Sequence, residues 1–212
     1  MKNNQAFSLL ELSIVLTIIA IIVSGVTISG RFVKLSQVNN IVAEAGRYHS
    51  FMRIFELKHS YYAGDFPDGT AMWGNDCLGA SLGTDLCSGD GDDTLETGTP
   101  DERFLAWKHL SNDKILLDFY PFEGTSEVDE APTSGLSNGS IYIYESATKG
   151  ILVSLRSRAD AWNAISHKDA YIIDNKIDDG VLDTGDVFGE CGSGITTYDF
   201  TLLGTLCGLS FY

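Results

Sequence analysis

The sequence predicts an α+β fold in which one long N-terminal helix lays its second half on a small antiparallel sheet. Three observations predict it. Leu12–Gly30 carries no charge and is dominated by Leu, Ile and Val. Beyond it, apolar residues recur at alternating steps of three and four, the spacing of one helix face. From Ile141 onward, β-branched and aromatic runs are separated by turn residues, the pattern of paired strands. With 212 residues the chain holds one domain plus an appendage.

Charge divides along the chain. Residues 1–60 hold six basic and three acidic side chains, a balance of +3, and residues 61–212 hold eight basic and 26 acidic ones, a balance of −18. A body this acidic repels phosphate backbones, because nucleic-acid affinity rests on neutralising phosphates with Lys and Arg. Nucleic acid is not an expected partner, and the acidity reads as a well-solvated exterior.

As a helix, Leu12–Gly30 rises about 28 Å, close to the hydrocarbon thickness of a bilayer. A cleavable secretory signal has a shorter apolar core and a small-residue cleavage site, and no clear A-x-A triplet follows Ser24–Gly25 or Ser29–Gly30. A single-span anchor fits the length but not Glu11. That residue lies between Phe7-Ser8-Leu9-Leu10 and Leu12-Ser13-Ile14-Val15-Leu16. A carboxylate at a membrane centre costs about 2.5–3.5 kcal/mol, less near the interface, and as a rule has a partner. By spacing alone, Glu11 equally well marks the interfacial end of an anchor.

The residues around it add more. Met1-Lys2-Asn3-Asn4-Gln5-Ala6, followed by Phe7-Ser8-Leu9-Leu10-Glu11-Leu12, resembles the prepilin processing motif of type IV pilins and type II secretion pseudopilins. The motif joins a short basic leader, a small residue before the cut, Phe after it, and Glu as the fifth residue of the processed chain. One departure stands out: the family usually has Gly before the cut, and this chain has Ala6, which implies slower cleavage. The resemblance implies that a membrane prepilin peptidase cuts between Ala6 and Phe7 and methylates the new amine of Phe7. It also implies that Glu11 faces the Phe7 amine of a neighbour when helices assemble, a pairing that low dielectric favours over an isolated carboxylate.

Past Arg31, the residues Val38, Ile41, Ala45, Tyr48, Met52 and Phe55 fall on one helix face, with Gln37, Asn40, Glu44, Arg47 and Arg53 mostly off it. No proline interrupts Phe7–Lys58, so a single helix of roughly 50 residues is expected. Tyr61–Pro100 reads as a long loop rich in Gly and Asp, and Ala63–Gly69 with Trp73-Gly74 is similar to the stretch after the first helix of many pilin-like proteins. Thr99-Pro100-Asp101-Glu102 predicts a helix to about Ser111, with Thr99 as cap, Glu102 reaching back, and Phe104 and Trp107 in the core. Ile141–Glu145 and Gly150–Leu155, joined by Ser146–Lys149, predict a hairpin. Ser166 opens a helix to about Asp178, and Thr196–Phe200 and Cys207–Phe211 are expected to close the sheet. Ile173–Gly180 resembles a recurring pilin-like signature.

The four cysteines form two local couples, Cys77 with Cys87 and Cys191 with Cys207. Outside the cytoplasm two local disulfides are the economical reading, although four cysteines allow three connectivities. Two acidic loops have the composition of hard-cation sites: Asp90, Asp92 and Asp93 with Glu96, and Asp174 to Gly180, with Asp178 and Asp179, followed by Asp183 and Asp186. Neither follows the EF-hand order, and solvated turn carboxylates are the simpler reading. Cofactors are not required; calcium is an option. Asn138-Gly139-Ser140 fits a glycosylation sequon and equally a turn. The histidines are scattered, and no nucleophile elbow, P-loop or dinucleotide fingerprint is present, so no enzyme is expected.

The expected organisation is a leader (1–6), a membrane and assembly half of the helix (7–30), an amphipathic half (31–60) and an acidic α+β body (61–212). Such a chain would lie in a bacterial inner membrane with its body in the periplasm, then enter a pilus or a periplasmic pseudopilus. Its partners would be other subunits, the peptidase, the inner-membrane assembly machinery and lipid. The alternative is a monomeric, membrane-tethered periplasmic binding protein that uses its acidic loops for calcium or a ligand.

Overall fold

The computed structural model describes residues 8–74, 87–98, 100–117, 131–136, 140–147, 150–157, 164–192, 194–195, 197–201 and 206–212, with the backbone alone at residues 26–28 and 31. Two compact units divide the chain, Met1–Asn39 and Asn40–Tyr212.

Helix α1 runs from Leu9 to His59, 51 residues, within two residues of the expected bounds. In the first unit its described large apolar side chains from Leu9 to Leu35 are exposed on every side, Leu9 at 88%, Ile21 at 66% and Phe32 at 66%. Among the described residues no helix is long and apolar enough to cross a membrane; in the apolar half of α1 the described side chains run unbroken only to Gly25.

In the second unit the apolar stripe becomes core. Ile41, Ala45, Tyr48, Met52 and Phe55 are all buried, as is Val38 in the first unit, while Asn40, Arg47 and Arg53 are exposed. The stripe meets aromatic residues from later elements. The Tyr48 ring lies edge-on to Trp107 at 4.9 Å and 5.0 Å from Tyr142, and the Tyr144 hydroxyl donates to the Tyr48 carbonyl at 2.6 Å.

A short helix α2, Gly69–Trp73, interrupts the expected loop. Helix α3, Glu102–Asn112, buries Phe104 and Trp107 as expected, but its cap differs. Asp101 is the N-cap and accepts from the Arg103 amide. Thr99 lies outside the described residues, and with it the expected partner of Glu102. The Glu102 carboxylate accepts amides of the preceding loop. A charged acceptor one residue from the first turn makes a better cap than a hydroxyl further back.

Strands β1 (Ile141–Ala147) and β2 (Gly150–Arg156) form the predicted hairpin, in register from Ile141↔Arg156 to Ala147↔Gly150. The ladder extends to Ala147, so the turn is tighter than Ser146–Lys149. A short β3 (Ile165–Ser166) leads into α4 (His167–Ile177), where Ser166 caps by accepting from the Asp169 amide. Strands β4 (Val187–Cys191) and β5 (Leu206–Phe211) complete an antiparallel sheet in which β5 pairs with β2, β3 and β4.

The expected strand at Thr196–Phe200 is not one. Its described part is turn and irregular chain, because Asp199 accepts from the Thr201 amide and hydroxyl, closing a local turn. The strand that does line β5 is β4. Its Gly189 is required by close approach, since a Cβ there would stand 2.1 Å from the Gly208 carbonyl oxygen.

Candidate functional site

At its start, α1 is closed by a capping box. The Ser8 hydroxyl accepts from the Leu10 amide at 3.3 Å, and the Glu11 carboxylate reaches back to accept the Ser8 amide at 3.0 Å. Two N–H groups that would otherwise lack partners are satisfied reciprocally. The signal was present in the sequence as Ser8-Leu9-Leu10-Glu11, the S-x-x-E pattern, but reading Glu11 as an anomaly in an apolar run hid it. Ala6 and Phe7, the processing residues, lie outside the described residues.

The first acidic loop is organised around two buried carboxylates that the sequence reading did not single out as a site. Asp65, fully buried, accepts the amides of Gly91, Asp92 and Asp93 at 2.6–3.1 Å. Glu102, 5% exposed, accepts those of Asp90 and Glu96, both at 3.1 Å. Burial pushes the Glu102 carboxyl up to about 7, against the pull of its two amide donors and with help from Asp65 and Asp90. Asp65 is raised by burial as well, opposed by its three amide donors. Oxygens of Asp65, Asp90 and Glu102, and those of Asp90, Asp92 and Glu96, lie within 4.8 Å of one another. Asp93 belongs to neither group and joins the loop through its amide.

The second acidic turn follows α4. Oxygens of Asp174, Asp178 and Asp179 gather within 4.8 Å of one another, and Asp183 is not among them. Each of the three already serves the backbone or a hydroxyl. Asp174 accepts from the Gly180 amide and, at 2.7 Å, from the Tyr198 hydroxyl. Asp178 accepts the amides of Asp186 and Val187, satisfying the chain where it enters β4. Asp179 accepts from the Val181 amide and the Thr184 hydroxyl. Gly185, at φ +83°, lets the turn wrap Asp178, because a Cβ there would stand 1.9 Å from the carboxylate. Three carboxylates are fewer donors than the six to eight oxygens calcium takes, so carbonyls or water would have to complete either set.

Cys191 and Cys207, cross-strand partners in β4 and β5, are joined by a disulfide. Cys87 is disulfide-bonded too, and Cys77 lies outside the described residues. So do Asn138 and Gly139 of the sequon. The histidines stay apart in role. His109 is fully buried, accepting the Gly64 amide at Nδ1 and holding the Cys87 carbonyl at Nε2, and burial pushes it down to about 4. His59 sits 3.2 Å from Asp113.

With this geometry in view, residues 1–27 match a family model, the prokaryotic N-terminal methylation motif, which is the signature of type IV pilins and pseudopilins. The chain matches no curated protein and no solved structure.

Proposed function

We propose that this protein is a structural subunit of a type IV pilus or type II secretion pseudopilus, cut between Ala6 and Phe7, N-methylated on Phe7, and polymerised through α1. The observation that carries the reading is the methylation motif over residues 1–27 running directly into α1, whose first half exposes apolar side chains on every side. A helix that is hydrophobic all round is stable only among lipid tails or other helices. A subunit that passes from membrane to filament meets both environments. The uncharged sequence from Leu12 to Gly30 has the length of one membrane crossing. The second half of α1 is committed to the body, which leaves the first half for lipid and then for neighbouring subunits.

In this reading Glu11 pairs with the methylated Phe7 amine of a neighbour, setting the register of assembly. The disulfides suit a body on the far side of the inner membrane. No cofactor is required; calcium would sit at the Asp90–Glu96 loop or the Asp174–Asp179 turn. Unchanged filaments and unchanged melting in EDTA would remove it from the reading.

Intact mass and N-terminal peptide analysis of the protein from its native membranes test the proposal. A chain beginning at N-methylated Phe7 is expected. An intact Met1 would return the tethered monomer as the better reading, and a cut beyond Gly30 would make the apolar stretch a secretory signal.

A further inference from the structure

Three aromatic rings meet beside α4, around its Tyr171. Tyr171 stands edge-on to Tyr198 and to Phe200, each with centroids 5.5 Å apart. Rings packed this way normally fill a core, but here Phe200 is 57% exposed and Tyr171 36%, with Val181 beside them at 47%. Together with Leu182 they line an open cleft of about 250 Å³, and none of its lining residues carries a charge. Gly180, at φ +77°, allows the chain to pass close to the Tyr171 ring, where a Cβ would lie 3.3 Å from Cε2.

Three carboxylates gather beneath the cleft. The Tyr198 hydroxyl donates to Asp174, whose oxygens lie within 4.8 Å of those of Asp178 and Asp179. Burial and the bond to Asp174 hold the Tyr198 phenol protonated, so its ring stays a neutral aromatic face. The C-terminus of α4, at Ile177, adds the negative end of a helix dipole, partly offset by Lys176 in the same turn. The surrounding body carries a balance of −18. Aromatic faces attract cations through the ring quadrupole, and quaternary ammonium groups are held by clustered rings in this way.

We propose that the cleft formed by Tyr171, Tyr198, Phe200 and Val181 binds a compact organic cation, an alkylammonium group of the size of choline's headgroup. The rings supply the contact surface and the Asp174–Asp179 turn supplies the field. This site is independent of polymerisation and stands whether or not the subunit reading does.

The test is calorimetric titration of the full-length protein in an uncharged detergent, with EDTA and at fixed ionic strength. Choline chloride is compared with its uncharged carbon isostere, 3,3-dimethylbutan-1-ol. Saturable choline binding at least several-fold tighter than the isostere is expected. Phe200→Ala is expected to weaken choline roughly three- to thirty-fold with an unchanged melting temperature. Asp179→Asn, at an exposed position, is expected to weaken choline and leave the isostere unaffected. Equal affinity for the two probes, no saturable binding, or choline affinity indifferent to Phe200→Ala would overturn the proposal. So would a hexalysine peptide that binds where choline does not, because general acidity would then explain the attraction.

Discussion

Glu11 accepts the Ser8 amide within its own helix, so one carboxylate carries a local job besides the intersubunit job proposed for it. The two jobs separate by substitution. Glu11→Ala removes both the charge and the cap acceptor. Glu11→Gln removes the charge but keeps an oxygen that can accept from Ser8. If the charge sets the register of assembly, Glu11→Gln is expected to abolish filaments while stable, processed subunit accumulates, as seen by electron microscopy beside N-terminal mass analysis. Filaments at wild-type levels in Glu11→Gln, with loss only in Glu11→Ala, would make capping the reason for the residue. Asp178 shows a second local economy. It was a calcium candidate by composition, yet it holds the amides of Asp186 and Val187 at the mouth of β4. Asp178→Ala is expected to cost about 1–3 kcal/mol in urea denaturation, with or without EDTA, because two backbone donors lose a charged acceptor. No sequence pattern could have revealed this, since the partners lie eight and nine residues away and are found only once the turn is folded.

Helix α1 was legible because burial follows a periodicity that the sequence displays directly. Every stripe residue from Val38 to Phe55 is buried, and the contrast with its neighbours is sharp at the C-terminal end. Phe55 is 0% exposed and Leu57, two residues on, is 86% exposed. Phe55→Ala is therefore expected to destabilise the protein by about 3–5 kcal/mol, whereas Leu57→Ser stays within about 0.5 kcal/mol, measured as parallel urea titrations. A similar cost for both would mean that α1 is rotated from the face described. Strand β5 lies within one residue of its expected bounds, whereas β4 was harder to read, for a physical reason. Val187-Phe188-Gly189-Glu190-Cys191 contains a glycine and a glutamate that lower its β propensity, and it is a strand because Gly189 admits the β5 backbone. Thr196–Phe200 has better composition, but in its described part the Asp199 amide donates to His167, the Asp199 carboxylate accepts from Thr201 and the Tyr198 hydroxyl donates to Asp174. Tertiary partners decided both cases, and composition recorded only the preferences they overrode.

At the scale of the whole molecule, two buried groups that brace one region push stability against pH in opposite directions. His109 holds Gly64 and Cys87 as a neutral ring, and its folded value of about 4 lies below the ordinary 6.5. The unfolded chain therefore takes up a proton first, and stability falls as pH drops from 6.5 toward 4. Glu102 holds Asp90 and Glu96, and its folded value of about 7 lies above the ordinary 4.5. Here the folded chain takes up the proton first, and stability rises as pH drops from 7 toward 4.5. Each shift corresponds to about 3 kcal/mol at full extent, so across their shared window the two nearly cancel. The wild-type protein is expected to hold roughly level stability from these groups between pH 6.5 and 4.5. Glu102→Gln removes the rising member and leaves His109 unopposed. Its stability relative to wild type is then expected to fall by about 3 kcal/mol between pH 7 and 4.5, read from urea midpoints of the full chain in detergent at pH 7, 5.5 and 4.5. Parallel curves for the two proteins would show that Glu102 stays ionised throughout, its amide donors outweighing its burial.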